Sequence, residues 1–571
     1  MKRRTAFGIA SAAPVVVAVA TAILFIVSRG KWSDALIDSG REWIVPDALS
    51  RGELLYRDVV YWFGPFTPYW HALFFRLAGS SFGTLVVAGI VSSAAILACL
   101  RWALLRITDR RQANAWTAVA IPWLIFMPDA GGAILGMGFR MWHAAGFGLL
   151  ALTLLILRPG SPALDFVGGL AAGAAGLCRT EWGVAVLVAA VVAVALRSEK
   201  RATMRAPFVR VVAGFALAFG GGLGLFAWFA GPAALFRDAP VLLFNLPEET
   251  RAHVAAPRPG IWAAGFVQML YCAAAWLGVL IVLEILVRSR REPAFARKRL
   301  GTLAALVVLA AVCAAIAGFP NDVLLAGTPL LCAASVWLGL RTPRSPLAAA
   351  LGAFGTAGVL TCVRRPFFLS DAPYVAPPVL FAIVCAAAAL ARAVEARAPD
   401  ARPLLSLWLS RAVATLAAGL FLLRGFQYVR DERTPIPGTD GMLSARAETA
   451  RRIEDVAALL REKTTPGDGV VVFPEGEILN SLSGRPNPIR HKLYLPGYLN
   501  RENEPEVLAE LMKARPAAVV IWPRPLGEYG RAEFGVDYGA RIRDWIRDDY
   551  VEIPTGPGRE RAPVVAVRRG R

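Results

Sequence analysis

MKRRTAFGIASAAPVVVAVATAILFIVSRG, residues 1–30, decides how the rest of the chain is read. Its basic start and apolar run have the outline of a secretory signal peptide. The run is about twenty residues, longer than the roughly 7–15 of a signal-peptide core and about what a helix needs to cross bilayer hydrocarbon. The expectation is therefore an uncleaved first span, with Lys2, Arg3 and Arg4 held in the cytoplasm.

The same length criterion applied along the 571 residues places further spans near 82–105, 112–127, 140–157, 163–178, 181–197, 207–231, 261–287, 300–318, 323–340, 346–363, 374–394 and 405–424, beside the first at 7–28. The expected fold is a polytopic α-helical membrane protein of about 13 transmembrane helices. The runs at 163–178 and 181–197 are nearly continuous, so they form either a tight hairpin or one long broken helix. Charge supports the scheme. Only 18% of residues are charged, against about 25% in soluble proteins, and the charges are sparse before 425 and dense after it. Two domains follow: a transmembrane part at 1–424, with a long far-side loop at 29–81, and a C-terminal α/β soluble domain at 425–571.

Alternate connectors are basic: Arg106/Arg110/Arg111, Arg158, Arg197/Lys200/Arg201/Arg205, Arg288 to Arg299, Arg341/Arg344 and Arg392/Arg397/Arg402. The intervening connectors 128–139 and 318–322 contain no Lys or Arg. The positive-inside rule then puts the N-terminus in the cytoplasm and the 29–81 loop and C-terminal domain outside, in a multi-pass cell (inner or plasma) membrane protein. The formal charge of +20 reads as orientation signal and affinity for acidic headgroups of membrane lipids rather than as a nucleic-acid surface. The seven cysteines all fall in or beside apolar runs without a CxxC pair, and the four histidines show no HExxH spacing, so neither disulfide framework nor zinc site is expected.

The C-terminal part alternates helices and strands. Residues 444–463 have apolar Ile453, Val456, Leu459 and Leu460 at helical spacing, 470–475 and 517–522 read as buried strands, and 504–514 and 541–550 as helices. Residues 551–553 and 562–569 read as a closing hairpin, giving a partly parallel sheet. The stretch 473–488, with Glu475, Asn480, Arg485 and Asn487, is either an ordinary strand-to-helix loop or an acceptor-facing one.

The most informative stretch is KWSDALIDSGREWIVPDALSRGELLYRDVVYWFGPFTPYWHALFFRLAG, residues 31–79. Asp38 and Glu42 are four apart and share one face of a helix. Such a pair either binds a divalent cation, activates a hydroxyl as general base, or is one of several acids capping a solvated loop. Arg179 and Glu181 sit at the break between two short spans, and Arg364, Arg365 and Tyr374 at another span edge. Charges there mark function or form structural ion pairs and snorkelling side chains.

The 31–79 loop resembles the first extracytoplasmic loop of the GT-C superfamily of membrane glycosyltransferases, in the bacterial branch related to protein O-mannosyltransferases and aminoarabinose transferases. The residues that carry the resemblance are Asp38, Glu42, Gly52, Tyr56, Arg57, Asp58, Gly64, Pro65, Tyr69 and Gly79. It implies a GT-C-like fold and transfer of a monosaccharide from a polyprenyl-phosphate sugar donor to a glycan, lipid or protein acceptor. It implies that Asp38, with Glu42, is catalytic and that Arg57, Asp58, Arg179, Glu181, Arg365 and Tyr374 contact the donor or its phosphate. Aminoarabinose-type members carry Lys-Pro-Pro-Leu where this chain has Gly64-Pro65-Phe66-Thr67, so their phosphate-binding lysine is missing and another cation, Arg57 being one candidate, must serve. A metal, if any, would sit on Asp38 and Glu42. The competing readings are a flippase or transporter of lipid-linked sugars, for which no internal repeat is found, and a polysaccharide ligase or polymerase.

Overall fold

The computed structural model describes residues 2–128, 131–136, 138–158, 160–197, 204–238, 327–362, 376–397, 402–555 and 562–570, with isolated positions between 263 and 270. The expected spans at 261–287 and 300–318 fall almost wholly outside these residues.

The helices in chain order are α1 (Lys2–Ser28), α2 (Asp38–Ser50), α3 (Phe66–Ala78), α4 (Phe82–Leu104), α5 (Arg110–Ala120), α6 (Phe139–Leu157), α7 (Pro162–Cys178), α8 (Thr180–Arg197), α9 (Arg205–Ala230), α10 (Pro232–Asp238), α11 (Thr328–Arg341), α12 (Pro346–Cys362), α13 (Val379–Arg397) and α14 (Arg402–Arg430). Among the described residues, five of them (α4, α6, α8, α9 and Ser406–Arg430 of α14) are long and apolar enough to cross a membrane. On α9, Trp228 is 85% exposed and Leu217 60%, an arrangement costly in water and natural against lipid tails. The expected span at 112–127 is instead α5 followed by a π-helical turn at Ile121–Ile125. Pro122 removes a backbone donor there. Arg424 Nε donates to the Pro122 carbonyl at 3.0 Å and Tyr428 to that of Phe126 at 3.1 Å, which ties α14 to this turn.

Small residues set the helix spacing. A Cβ on Gly169 would collide with the backbone of Val211, and one on Gly183 with the backbone of Gly176. The stripe VGGLAAGAAG in α7 thus lets two neighbouring backbones come close, where lipid supplies no hydrophobic drive and packing must hold the helices. The contact of Gly176 with Gly183 also decides between a hairpin and a broken helix. Arg179 is extended (φ −150°, ψ 122°), and α8 turns back against α7.

Beyond α14 lie α15 (Ala447–Lys463), α16 (Ile478–Ser483), α17 (Glu504–Ala514) and α18 (Ala540–Asp549). The strands are β1 (Thr434–Pro435), β2 (Ser444–Ala445), β3 (Val470–Phe473), β4 (Ala518–Ile521), β5 (Tyr550–Pro554) and β6 (Val564–Arg568). β3 to β6 form a sheet of order β3-β4-β6-β5, parallel between β3 and β4 and antiparallel elsewhere. β3 is buried along its whole length, as a strand covered on both faces must be. Helix α14 runs unbroken to Arg430, six residues past the boundary read from charge density at 424.

This C-terminal segment packs on the 31–79 loop. Trp62 stacks on Tyr498 at 4.0 Å, the Val60 amide donates to the Arg490 carbonyl at 3.0 Å, and Lys492 pairs with Glu53 at 2.9 Å. Helix α2 lies on α16, where a Cβ on Gly40 would collide with the backbone at Glu477 and Ile478. Gly40→Val should therefore force the two layers apart, at a cost of about 1–3 kcal/mol. The expected result is a clear fall in melting temperature in detergent, with new proteolysis near 474–480. An unchanged melt would contradict this packing.

Candidate active site

The acids of the 31–79 loop divide into two groups. Asp34 Oδ1 accepts the amides of Leu36 and Ile37 at 2.9 and 2.7 Å and so forms the turn that opens α2. Asp47 pairs with Arg51 one turn on, and Asp58 accepts the Leu54 amide at 2.9 Å and pairs with Arg57. These are local structural acids. Asp38 and Glu42 are not, although both are buried.

Glu42 Oε1 accepts from Arg140 Nη1 at 3.0 Å. Arg140, in the first turn of α6, also hydrogen-bonds the Tyr61 hydroxyl and lies 3.9 Å from the Phe63 ring centroid. Arg41, next to Glu42 in sequence, turns instead to the buried Glu475, which also forms an ion pair with Arg524. Asp38 sits in the combined field of Arg41, Arg524 and Arg140, and its Oδ1 accepts no hydrogen bond among the described residues. A narrow cleft beside Glu42, lined by Arg41, Tyr61, Phe63, Arg140 and Tyr498, has an internal volume of about 10 Å³, room for the tip of one polar group.

Burial governs the protonation of these acids. It pushes Asp38 up to about 6, against the pull of Arg41. It pushes Glu42 up to about 7, against Arg140, and Glu477 up to about 7 as well. Asp38 is therefore ionised at neutral pH yet more basic than an ordinary carboxylate, the state a general base needs.

Three comparisons bear on the fold. No family model matches the sequence, and no curated protein matches it. Among solved structures, ArnT from Cupriavidus metallidurans, bound to undecaprenyl phosphate, superposes with a TM-score of 0.53 at 13% identity over 97% of this chain and 98% of that one. The chain has the GT-C fold. It is a multi-pass membrane protein. The Archaeoglobus fulgidus oligosaccharyltransferase gives a TM-score of 0.49 at 15% identity over 89% of this chain and 67% of that one. The mycobacterial arabinofuranosyltransferase AftD gives 0.47 at 14% over 98% and 40%.

Within this GT-C fold the residues singled out from sequence do not all converge. Asp38 and Glu42 share the buried face of α2. Arg57 and Asp58 form an exposed pair with each other, away from the cleft, and Arg57 holds the Asp58 carboxyl below its usual value. Arg179 pairs with Glu181, lies 5.4 Å from the Phe63 centroid, and has Nε and Nη1 buried without a hydrogen-bond partner among the described residues. Arg365 and Tyr374 lie outside the described residues. Gly64 explains the missing lysine: its amide donates to the Cys178 carbonyl at 3.3 Å, and any Cβ would collide with the Leu177 backbone. The space a lysine would use is taken by the chain leading into Arg179.

Arg41, Arg524, Glu477 and Tyr498 belong to the site and were not singled out from sequence. Gly40, in the first turn of α2, has no side chain between this helix and the backbone at Glu477 and Ile478, which brings its neighbour Arg41 into that layer. A divalent cation fits poorly on Asp38 and Glu42. Both already face guanidinium groups, and among the described residues no third His, Cys, Asp or Glu joins them as a ligand set.

The raised value of Asp38 makes a prediction about stability. Its ordinary value is 3.8 and its folded value about 6. Between these the unfolded chain has lost the proton and the folded chain keeps it, so folded-state stability falls as pH rises through this window. Asp38→Asn, which cannot ionise, should melt higher than wild type near pH 8, and the difference should vanish near pH 4. A difference independent of pH would contradict the burial argument.

Proposed function

We propose that the chain is a glycosyltransferase that moves a monosaccharide from a polyprenyl-phosphate carrier to an extracytoplasmic acceptor, with the 31–79 loop and residues 425–571 outside the cell membrane. The observation that carries this reading is Asp38: a buried carboxylate with an oxygen to spare, ringed by guanidinium groups, in a chain of GT-C fold. The acceptor hydroxyl attacks the anomeric carbon and the carbon–oxygen bond to phosphate breaks. The bonding pair leaves on the phosphate oxygen, and the hydroxyl proton passes to Asp38. Charge developing on the phosphate calls for fixed cations. Arg140 and Arg179, both beside Phe63, supply them in place of the lysine excluded at Gly64. Glu42 positions Arg140 through their ion pair.

Two outcomes follow. Asp38→Asn should lower transfer by roughly 10²–10⁴-fold, and the wild-type rate should fall as pH drops through about 6, where Asp38 takes up its proton. Undiminished transfer by the folded variant would sink the reading. Arg179→Gln should weaken binding of undecaprenyl phosphate by roughly tenfold or more, the worth of a charge-assisted hydrogen bond. Unaltered binding would remove Arg179 from the phosphate site.

A further inference from the structure

His71 is fully buried in α3, and neither ring nitrogen has a hydrogen-bond partner among the described residues. Its neighbour His143 shows what a satisfied histidine looks like here. His143 Nδ1 meets Thr67 Oγ1 at 2.9 Å and Nε2 meets Ser92 Oγ at 2.9 Å, and Trp70 Nε1 donates to the same Ser92 at 3.0 Å. The nearby hydroxyls are thus committed, and His71 meets rings: Phe139 at 4.5 Å and His143 at 5.7 Å between centroids. An apolar side chain would fill this position without orphaning two nitrogens, and buried polar groups without partners are costly. Yet His71 lines the cleft that holds Glu42, Arg140, Tyr61 and Tyr498.

We propose that His71 is a sugar-contacting residue, whose neutral imidazole takes a hydroxyl of the donor's monosaccharide in the cleft beside Glu42 and Arg140. Burial, reinforced by His143, keeps its pKa well below the ordinary value, so at neutral pH the ring offers one N–H and one bare nitrogen. That pair suits an alcohol, which both donates and accepts. A phosphate is better served by the arginines, and a cation is repelled by them. The donor rather than the acceptor is favoured by position. α3, which carries His71, packs against α4 and α6, the helices from whose side a lipid-borne donor would come, while Leu493 and Tyr498 enter the cleft from the C-terminal segment.

This inference rests on the glycosyltransferase reading, and the test separates the two. Full-length protein in nanodiscs is titrated with undecaprenyl phosphate and with its glucosyl, mannosyl and arabinosyl derivatives. Wild type should bind at least one sugar-bearing lipid more tightly than the bare phosphate; no gain for any of them counts against the glycosyltransferase reading itself, and His71 falls with it. Given that gain, His71→Leu and His71→Phe should erase it, a loss of roughly two- to tenfold, with affinity for undecaprenyl phosphate unchanged. His71→Gln or His71→Asn should keep part of it. The proposal is overturned if the apolar variants keep the full gain, if they weaken both lipids alike with a lower melting temperature, or if only the KM for acceptor moves in a transfer assay.

Discussion

Glu475 forms ion pairs with guanidinium groups from two distant parts of the chain, Arg41 in α2 and Arg524 after β4, and much of the site depends on that shared carboxylate. Removing charge from water is expensive, and a buried charge is tolerated only where its partners are in place. The layer between the loop and the C-terminal segment buries Asp38, Glu42, Glu475 and Glu477, and Arg41, Arg140 and Arg524 are set against them. Glu475 takes two of these cations and Glu42 takes the third. Asp38 has no hydrogen bond on Oδ1 among the described residues; burial raises its carboxyl, and the field of the three cations pulls it only part of the way back. Its proton affinity is thus a property of the whole layer, since the groups that tune it come from α2, α6 and the C-terminal segment.

Backbone contacts fix where these side chains can reach. Gly40 brings α2 onto α16, so that Arg41 meets Glu475. Gly64 lies against the α7 end at Leu177 and Cys178, so that Phe63 and Arg179 come together. In both places a side chain is excluded so that a cation can be placed nearby. The position where aminoarabinose-type sequences carry lysine is closed here for that reason, and two arginines from other elements border the same ring.

Features that depend on local sequence were legible in it. Among the described residues, the apolar runs at 82–105, 140–157, 163–178, 181–197, 207–231 and 346–363 match helices to within two residues, and β3 and β4 match their hydrophobic stretches. The spacing of Asp38 and Glu42 placed both on one helix face. What needed the fold was every partnership across the chain: Arg140 is 98 positions from Glu42, and Glu475 is 434 from Arg41. Arg57 pairs with the adjacent Asp58 at the surface, a local contact between neighbours in sequence. The helix α16 was hidden in a stretch read as a polar loop, because six residues are too few for helical periodicity to register. The Pro122 turn was hidden in a similar way, since an apolar run does not announce where its hydrogen bonding widens.

The roles of Arg140, Arg179 and Asp38 turn on where the donor's phosphate sits. A structure of the full chain with undecaprenyl phosphate would measure this directly. The phosphate should lie within hydrogen-bonding distance of Arg140 or Arg179, beside Phe63, with the free oxygen of Asp38 facing it. A phosphate held by Arg57, or one seated where Asp38 does not face it, would contradict the account.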